Sequence, residues 1–127
     1  MNKLIMSVYN FMSSMFGYAP KNFMTVGVAD FETGIQGDSV QLVDVRTASE
    51  YQEGTIGDSI HIDMLKPDFI EKAESMLDPS RPVYVFCRTG HRSATASKML
   101  AKDNFQVVNL DGGIVAWMAA GKDIIVP

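Results

Sequence analysis

Short apolar segments alternate with helical segments along most of the chain. The clearest are three runs rich in branched residues, each ending at a polar loop: Val40 to Val45, Val83 to Phe86 and Gln106 to Leu110. A strand whose side chains are apolar on both faces must be packed against other elements on both faces. This is typical of parallel sheets joined by crossover helices. The pattern therefore predicts an α/β domain whose mainly parallel sheet is flanked by helices on both faces.

Further strands and helices fit between these runs. Two more short strands are expected at Val26 to Val28 and Ser59 to Ile62, which makes five strands. Thr47 followed by Glu50 forms a capping-box pattern at the start of a helix. The predicted helices cover Asp30 to Gln36, Thr47 to Glu53, Pro67 to Leu77, Ser93 to Asp103 and Ile114 to Ala120.

The first 21 residues follow another pattern. Helical spacing of apolar residues predicts an amphipathic helix with one face formed by Leu4, Ile5, Val8, Phe11, Met12, Met15 and Phe16. A linker should follow, so that residues 22–127 form a single domain. The helix is expected to pack on the domain or on a second copy in a homodimer. Membrane contact is disfavoured because polar residues interrupt the apolar face.

Composition restricts the chemistry. A net charge of -4 argues against general nucleic-acid binding. One cysteine and two histidines exclude an internal disulfide and a thiolate zinc cluster, so neither a metal nor another cofactor is expected. A cytoplasmic protein is the simpler interpretation, with export as the alternative because the amino terminus weakly resembles a signal peptide.

The only cysteine, Cys87, follows the strand Val83 to Phe86 and opens a loop that contains Arg88, His91 and Arg92. A free cysteine is about 3% thiolate at neutral pH, whereas cations, amides and a helix amino terminus stabilise the thiolate. An inert core cysteine is the alternative, because free cysteine is often buried. Nearby cations would be costly to bury with it, which favours a nucleophile.

Three separate segments resemble the rhodanese family of sulfurtransferases. They occur in the family's order and cover about residues 24 to 126. The segments are Leu42 to Arg46 with Glu50, Tyr51 and Gly54 to Ile56; Val85 to Ser93; and Leu110 to Ile114 with Trp117 and Gly121.

The resemblance implies that the Cys87 thiolate accepts a sulfane sulfur and becomes a persulfide. Its sulfur would come from a small donor such as thiosulfate or a persulfide and pass to cyanide, a thiol or an acceptor protein. The loop residues that would bind the donor and the persulfide are Arg88, Thr89, Gly90, His91, Arg92 and Ser93. Arg88 and Arg92 are the candidates for holding an anionic donor, because guanidinium groups match oxyanions.

Three residues before this loop should support the site. Asp44 and Arg46 resemble the family's strand-end pair, and Arg46 is expected to pair with Glu50 four positions later. Thr55 stands where the family often has a histidine, a difference expected to affect only a surface loop. His61, outside these segments, is expected to be a hydrogen-bonded structural histidine.

Two rival functions use a similar cysteine. Phosphatases and arsenate reductases also hold a cysteine in an anion-binding loop, but their loops have one residue more than the four between Cys87 and Arg92. A shorter loop favours a single sulfur atom over a tetrahedral oxyanion. A carrier or interaction module that relays persulfide sulfur to a protein partner is the second rival, and the sequence leaves it open.

Overall fold

The computed structural model describes residues 22–127, and the predicted amino-terminal helix and linker lie outside this range. Strands alternate with helices throughout the described part of the chain. The elements are, in order, β1 Phe23–Val26, α1 Val28–Gly34, β2 Gln41–Asp44, α2 Ala48–Glu53, β3 Ile60–His61, α3 Phe69–Met76, β4 Val83–Phe86, α4 His91–Lys102, β5 Val107–Leu110 and α5 Gly113–Ala119.

The strands form one five-stranded sheet in the order β1-β5-β4-β2-β3. All four neighbouring pairs are parallel, which confirms the predicted sheet. Because parallel strands end at the same edge, the loops after β2, β4 and β5 lie side by side at the carboxyl edge. Cys87 is the first residue after β4 and therefore lies at this edge.

Helices cover both faces of the sheet. On one face, α3 and α4 bury Phe69, Ala73, Ala96 and Leu100 against valines of β2, β4 and β5. On the other face, Phe31 of α1 and Ile114 and Trp117 of α5 pack against Tyr84 and Phe86 of β4. All four residues of β4 are buried, as expected of a central strand covered on both faces.

The element boundaries at β1 and α4 differ from the sequence-based expectation in ways that affect the site. Strand β1 begins at Phe23, where it pairs with Val107, and Val28 starts the following helix instead of ending the strand. Helix α4 begins at His91, two residues before the predicted start, because Gly90 adopts a left-handed conformation that ends the loop early. Arg92 and Ser93 therefore belong to the first helical turn.

Helix α4 has 12 residues. None of the helices between residues 22 and 127 has the length and apolar character needed to cross a lipid bilayer.

Candidate active site

The Cys87 thiol lies inside a cradle made by its own loop. The Gly90 amide donates a hydrogen bond to Cys87 Sγ at 3.1 Å, and the Ser93 hydroxyl donates another at 3.3 Å. The left-handed turn at Gly90 (φ 103°) folds the loop back over the sulfur. With 1% of its surface exposed, Cys87 also belongs to the apolar cluster under α3 and α4. The thiol is therefore both buried and hydrogen-bonded.

Opposing effects act on the ionisation of this thiol. Burial raises the pKa of Cys87, because a desolvated thiolate is unfavourable. Hydrogen bonds from the Ser93 hydroxyl and from the amides of Ser93, Gly90 and Thr89 lower the pKa, and together they outweigh burial. The net pKa lies below the ordinary value of 9.0, so the cradle favours the thiolate.

Arg92, in the first turn of α4, is held by a carboxylate. Its guanidinium forms two parallel bonds with Glu50, Nη1 to Oε1 at 2.7 Å and Nη2 to Oε2 at 2.9 Å. The Arg92 hydrogen bonds are the largest cause that lowers the pKa of Glu50 to about 2, and the same bonds raise the pKa of Arg92. The positive charge of Arg92 is therefore largely compensated before any ligand arrives.

Glu50 is also held in place by the start of its own helix, α2. The Glu50 amide donates to the Thr47 hydroxyl, and the Thr47 amide donates to Glu50 Oε1, both at 3.3 Å. These bonds form the predicted capping box at the start of α2. The first turn of α2 is thereby joined to the first turn of α4.

A buried ion pair lies at the end of β2. Arg46 donates from Nη2 to Asp44 Oδ2 at 2.7 Å and from Nε to Asp44 Oδ1 at 3.0 Å. The same Nη2 donates to the Gly54 carbonyl at 2.6 Å, so the pair also holds the loop after α2. Asp44 is fully buried and Arg46 is 6% exposed, which fits a structural pair that fixes the carboxyl edge.

The expected pairing of Arg46 with Glu50 is wrong. Arg46 bonds to Asp44 two residues earlier and leaves Glu50 to Arg92. The four-residue spacing suits a continuous helix, whereas Arg46 precedes α2 and its backbone leads out of β2.

Thr55 was expected in a surface loop, and this expectation is also wrong. Its hydroxyl donates to Asp44 Oδ2 at 2.8 Å, and the residue is 1% exposed. Thr55 also forms a backbone bridge with Ile125, which closes the carboxyl terminus over this loop. The bridge explains the burial, and the distance of Ile125 along the chain explains why local sequence did not reveal it.

A close approach of two backbones ties the loop after β5 to the cradle. The Ile114 amide donates to the Cys87 carbonyl at 2.9 Å. A Cβ added to Gly113, whose φ is 60°, would lie 2.5 Å from the Cys87 carbonyl oxygen and the Arg88 carbonyl group. Only glycine fits there without movement, which accounts for Gly113 in the motif.

The remaining loop side chains point outward. Arg88, Thr89 and His91 are exposed, and the Arg88 side chain has no hydrogen-bond or ion-pair partner among residues 22–127. His61 Nε2 lies 2.7 Å from the Arg46 carbonyl oxygen, and its ring stacks on Tyr51 at 4.7 Å. His61 is therefore a hydrogen-bonded structural residue, as expected.

Two cavities flank the loop. The first, of about 270 Å³, is bounded by Arg46, Glu50, Arg88 and apolar residues of α5 and the carboxyl terminus. The second, of about 460 Å³, is polar and lies beside the first half of α4. Sequence reasoning did not identify either cavity. A hint of the second was Asn109, a single amide in the otherwise apolar strand β5.

No group of three or more His, Cys, Asp or Glu side chains within residues 22–127 is placed to hold a metal ion. The groups that surround Cys87 Sγ are hydrogen-bond donors, which suit an anion. Fold and cradle together define the class of α/β proteins that hold a hydrogen-bonded cysteine at the carboxyl edge of a parallel sheet.

Comparison with known proteins specifies the class further. The family model described as rhodanese-like domain matches residues 28–120. A protein named sulfurtransferase from Allochromatium vinosum is 36% identical over 91 residues, which are 71% of this chain and 82% of that protein. A thiosulfate sulfurtransferase GlpE from Pseudomonas savastanoi is 39% identical over 84 residues, covering 65% of this chain and 76% of that protein.

A solved structure supports the same assignment. The rhodanese-related protein from Thermoplasma volcanium has a TM-score of 0.72 and 28% identity, covering 81% of this chain and 98% of that one. The chain belongs to the rhodanese-like domain family.

Proposed function

We propose that this protein transfers a sulfane sulfur through a persulfide on Cys87. The observation that carries the proposal is the cradle, in which the Gly90 amide and the Ser93 hydroxyl both donate to Cys87 Sγ. Donors arranged around a single sulfur atom suit a thiolate, and after sulfur transfer they suit a persulfide anion. Family membership and the relatives named sulfurtransferases support sulfur transfer in general.

In the first half-reaction, the Cys87 thiolate attacks the outer sulfur of a donor such as thiosulfate. A new bond forms between Sγ and the sulfane sulfur, the sulfur–sulfur bond of thiosulfate breaks, and sulfite leaves with the electron pair. In the second, a thiolate or cyanide attacks the sulfane sulfur. The bond to Sγ then breaks, and its electron pair restores the Cys87 thiolate.

Arg88 is the residue that we propose attracts an anionic donor. Both Arg88 and Arg92 are in the loop region, but Glu50 compensates the charge of Arg92. Arg88 is exposed, has no ion-pair partner in the described part of the chain and borders the first cavity. Its uncompensated charge acts through a local field that steers small anions toward the cradle.

A protein acceptor is the second candidate, and the first cavity favours it. Val115, Met118 and Ile124 border this cavity with 43%, 46% and 36% of their surface exposed. Apolar side chains grouped beside a reactive loop are typical of a protein-docking surface. In that case the outer sulfur of the Cys87 persulfide would pass to a thiolate of the partner, Cys87 would be left as the thiolate, and turnover with small thiols would be slow.

Steady-state assays of the full chain with thiosulfate and a small thiol test the proposal. We expect multiple turnovers that release sulfite, and complete loss of sulfite release in Cys87→Ser, because serine supplies no sulfur nucleophile. Circular dichroism of the variant serves as the control for folding. Single-turnover sulfite release without further turnover would favour the protein-acceptor candidate, and full activity of Cys87→Ser would contradict the persulfide.

A further inference from the structure

The first turn of α5 is bonded to the Cys87 loop through two backbone contacts. The Ile114 amide donates to the Cys87 carbonyl at 2.9 Å, and the Val115 amide donates to the Arg88 carbonyl at 3.1 Å. Both amides lie in the first turn of a helix that begins at Gly113, where amides have no partner within the helix. Helix α5 therefore uses these free donors on the loop that holds the sulfur.

The second of these bonds fixes the direction of a loop amide. In a trans peptide, the carbonyl and the amide N–H of the next residue point in opposite directions. Because the Arg88 carbonyl points toward α5, the Thr89 amide points away from α5 and into the cradle. The Thr89 amide is one of the donors that lower the pKa of Cys87. The bond from Val115 therefore orients a donor that the sulfur uses.

Gly113 allows α5 to approach the loop this closely. Its φ is 60°, and an added Cβ would lie 2.5 Å from the Cys87 carbonyl oxygen and from the carbonyl carbon and oxygen of Arg88. These are backbone atoms, so no side-chain rotation could relieve the contact. Gly121, after the same helix, has a similar φ of 77°, but an added Cβ would meet nothing within 4 Å. The two glycines share a left-handed conformation, and of the two only Gly113 is packed against the loop.

We propose that Gly113 is a positioning residue for sulfur transfer, because it lets the first turn of α5 orient the backbone of the Cys87 loop. The inference rests on the proposed function, since the oriented donors serve the anion that carries the sulfur. A side chain at position 113 would push the carbonyls of Cys87 and Arg88 away from α5 and turn the Thr89 amide. The thiolate, and the persulfide anion after sulfur transfer, would then lose a hydrogen-bond donor.

The thiolate is tested by following iodoacetamide alkylation of Cys87 in the full chain across a pH series. We expect Gly113→Ala to move the midpoint of the rate profile to higher pH, because a thiolate with fewer donors forms less readily. Gly121→Ala carries the same left-handed strain without touching the loop and should keep the midpoint of the natural protein. Circular dichroism shows whether each variant is folded. The charged side chains around the loop are the same in both variants, namely Asp44, Arg46, Glu50, Arg88, His91 and Arg92.

A second pair of variants tests the amide itself. Val115→Pro removes the N–H that donates to the Arg88 carbonyl, and proline is tolerated in the first turn of a helix. Val115→Ala keeps this N–H and shortens only the side chain. We expect Val115→Pro to move the alkylation midpoint to higher pH and Val115→Ala to leave the midpoint unchanged. This pair decides the question if Gly113→Ala fails to fold.

The consequence for sulfur transfer is measured as single-turnover sulfite release with saturating thiosulfate at pH 7. We expect Gly113→Ala to slow this release about tenfold, which is the size of effect expected when one hydrogen bond to a charged group is lost. Gly121→Ala should release sulfite at the rate of the natural protein.

Three outcomes would overturn the positioning role. They are a folded Gly113→Ala with the midpoint of the natural protein, an equal midpoint shift in Gly121→Ala, and a Val115→Pro midpoint that does not differ from that of Val115→Ala. Alkylation needs no sulfur donor, so these outcomes leave the proposed function standing. A natural protein that is alkylated but never releases sulfite would instead contradict the proposed function.

Discussion

Cys87 is a buried cysteine whose pKa is nevertheless lowered by its surroundings. The residue packs among apolar side chains, and burial by itself would keep the thiol protonated. Donors reach the sulfur from Gly90 and Ser93 because the chain turns back immediately after β4. The local backbone path therefore lowers a pKa that burial alone would raise.

Removing the Ser93 hydroxyl should raise the pKa of Cys87. Hydrogen bonds to charged groups contribute about 1.5 to 3 kcal/mol, so Ser93→Ala should destabilise the thiolate and move the Cys87 pKa upward. Iodoacetamide alkylation across a pH series reports the pKa as the midpoint of the rate profile. Ser97→Ala is the matched control, because this buried hydroxyl lies one turn later and has no hydrogen-bond partner among residues 22–127. Coincident midpoints for Ser93→Ala and the natural protein would refute the role of Ser93.

The two arginines of the loop region differ in their surroundings. Arg92 is joined to Glu50 by two bonds, whereas Arg88 is exposed beside the first cavity. Sequence alone could not separate them, because the partner of Arg92 lies 42 positions away.

Arg88→Gln should weaken the use of anionic donors. We expect the KM for thiosulfate to rise about threefold at low salt, with a smaller effect as salt is added, because an exposed charge acts through a screened field. Lys102→Gln removes the same charge at the far end of α4 and should leave the KM unchanged. If Arg88→Gln had no effect while Arg92→Gln raised the KM, the donor-binding role would belong to Arg92.

At the level of elements, the carboxyl edge is held together by one ion pair between distant segments and by the Arg46 hydrogen bond to the loop after α2. Glu50 and Arg92 join the first turns of α2 and α4, and Arg46 joins the end of β2 to the loop after α2. Helix α2 has no buried residues, so its position depends strongly on such polar contacts. The stability of this edge should therefore depend on pH.

Glu50→Gln should destabilise the protein in a pH-dependent way. The pKa of Glu50 is lowered from 4.5 to about 2 in the folded protein. Its contribution, on the order of 3 kcal/mol at most, is therefore present above about pH 4.5 and is lost as the pH falls toward 2. Urea denaturation at several pH values in this range measures the free energy of unfolding. The difference in this free energy between the variant and the natural protein should shrink as the pH falls. Glu53→Gln, on the same helix and exposed, is the control, and a pH-independent difference would contradict this account.

On the scale of the whole molecule, most of the architecture could be predicted from local sequence. The parallel sheet followed from short apolar strands alternating with helices, and the capping box located α2. Contacts between distant segments could not be predicted in this way. The Glu50–Arg92 pair, the burial of Thr55 by the Ile125 bridge and the cavity beside Asn109 all depend on how separate loops meet at one edge.

The central proposal is that Cys87 carries one sulfur atom at the carboxyl edge of the sheet, and intact-mass spectrometry of the full chain tests this most directly. After incubation with thiosulfate, we expect a mass gain of one sulfur atom that reductant removes and that Cys87→Ser does not acquire. A folded protein whose mass stays unchanged with thiosulfate and with organic persulfide donors would contradict the account.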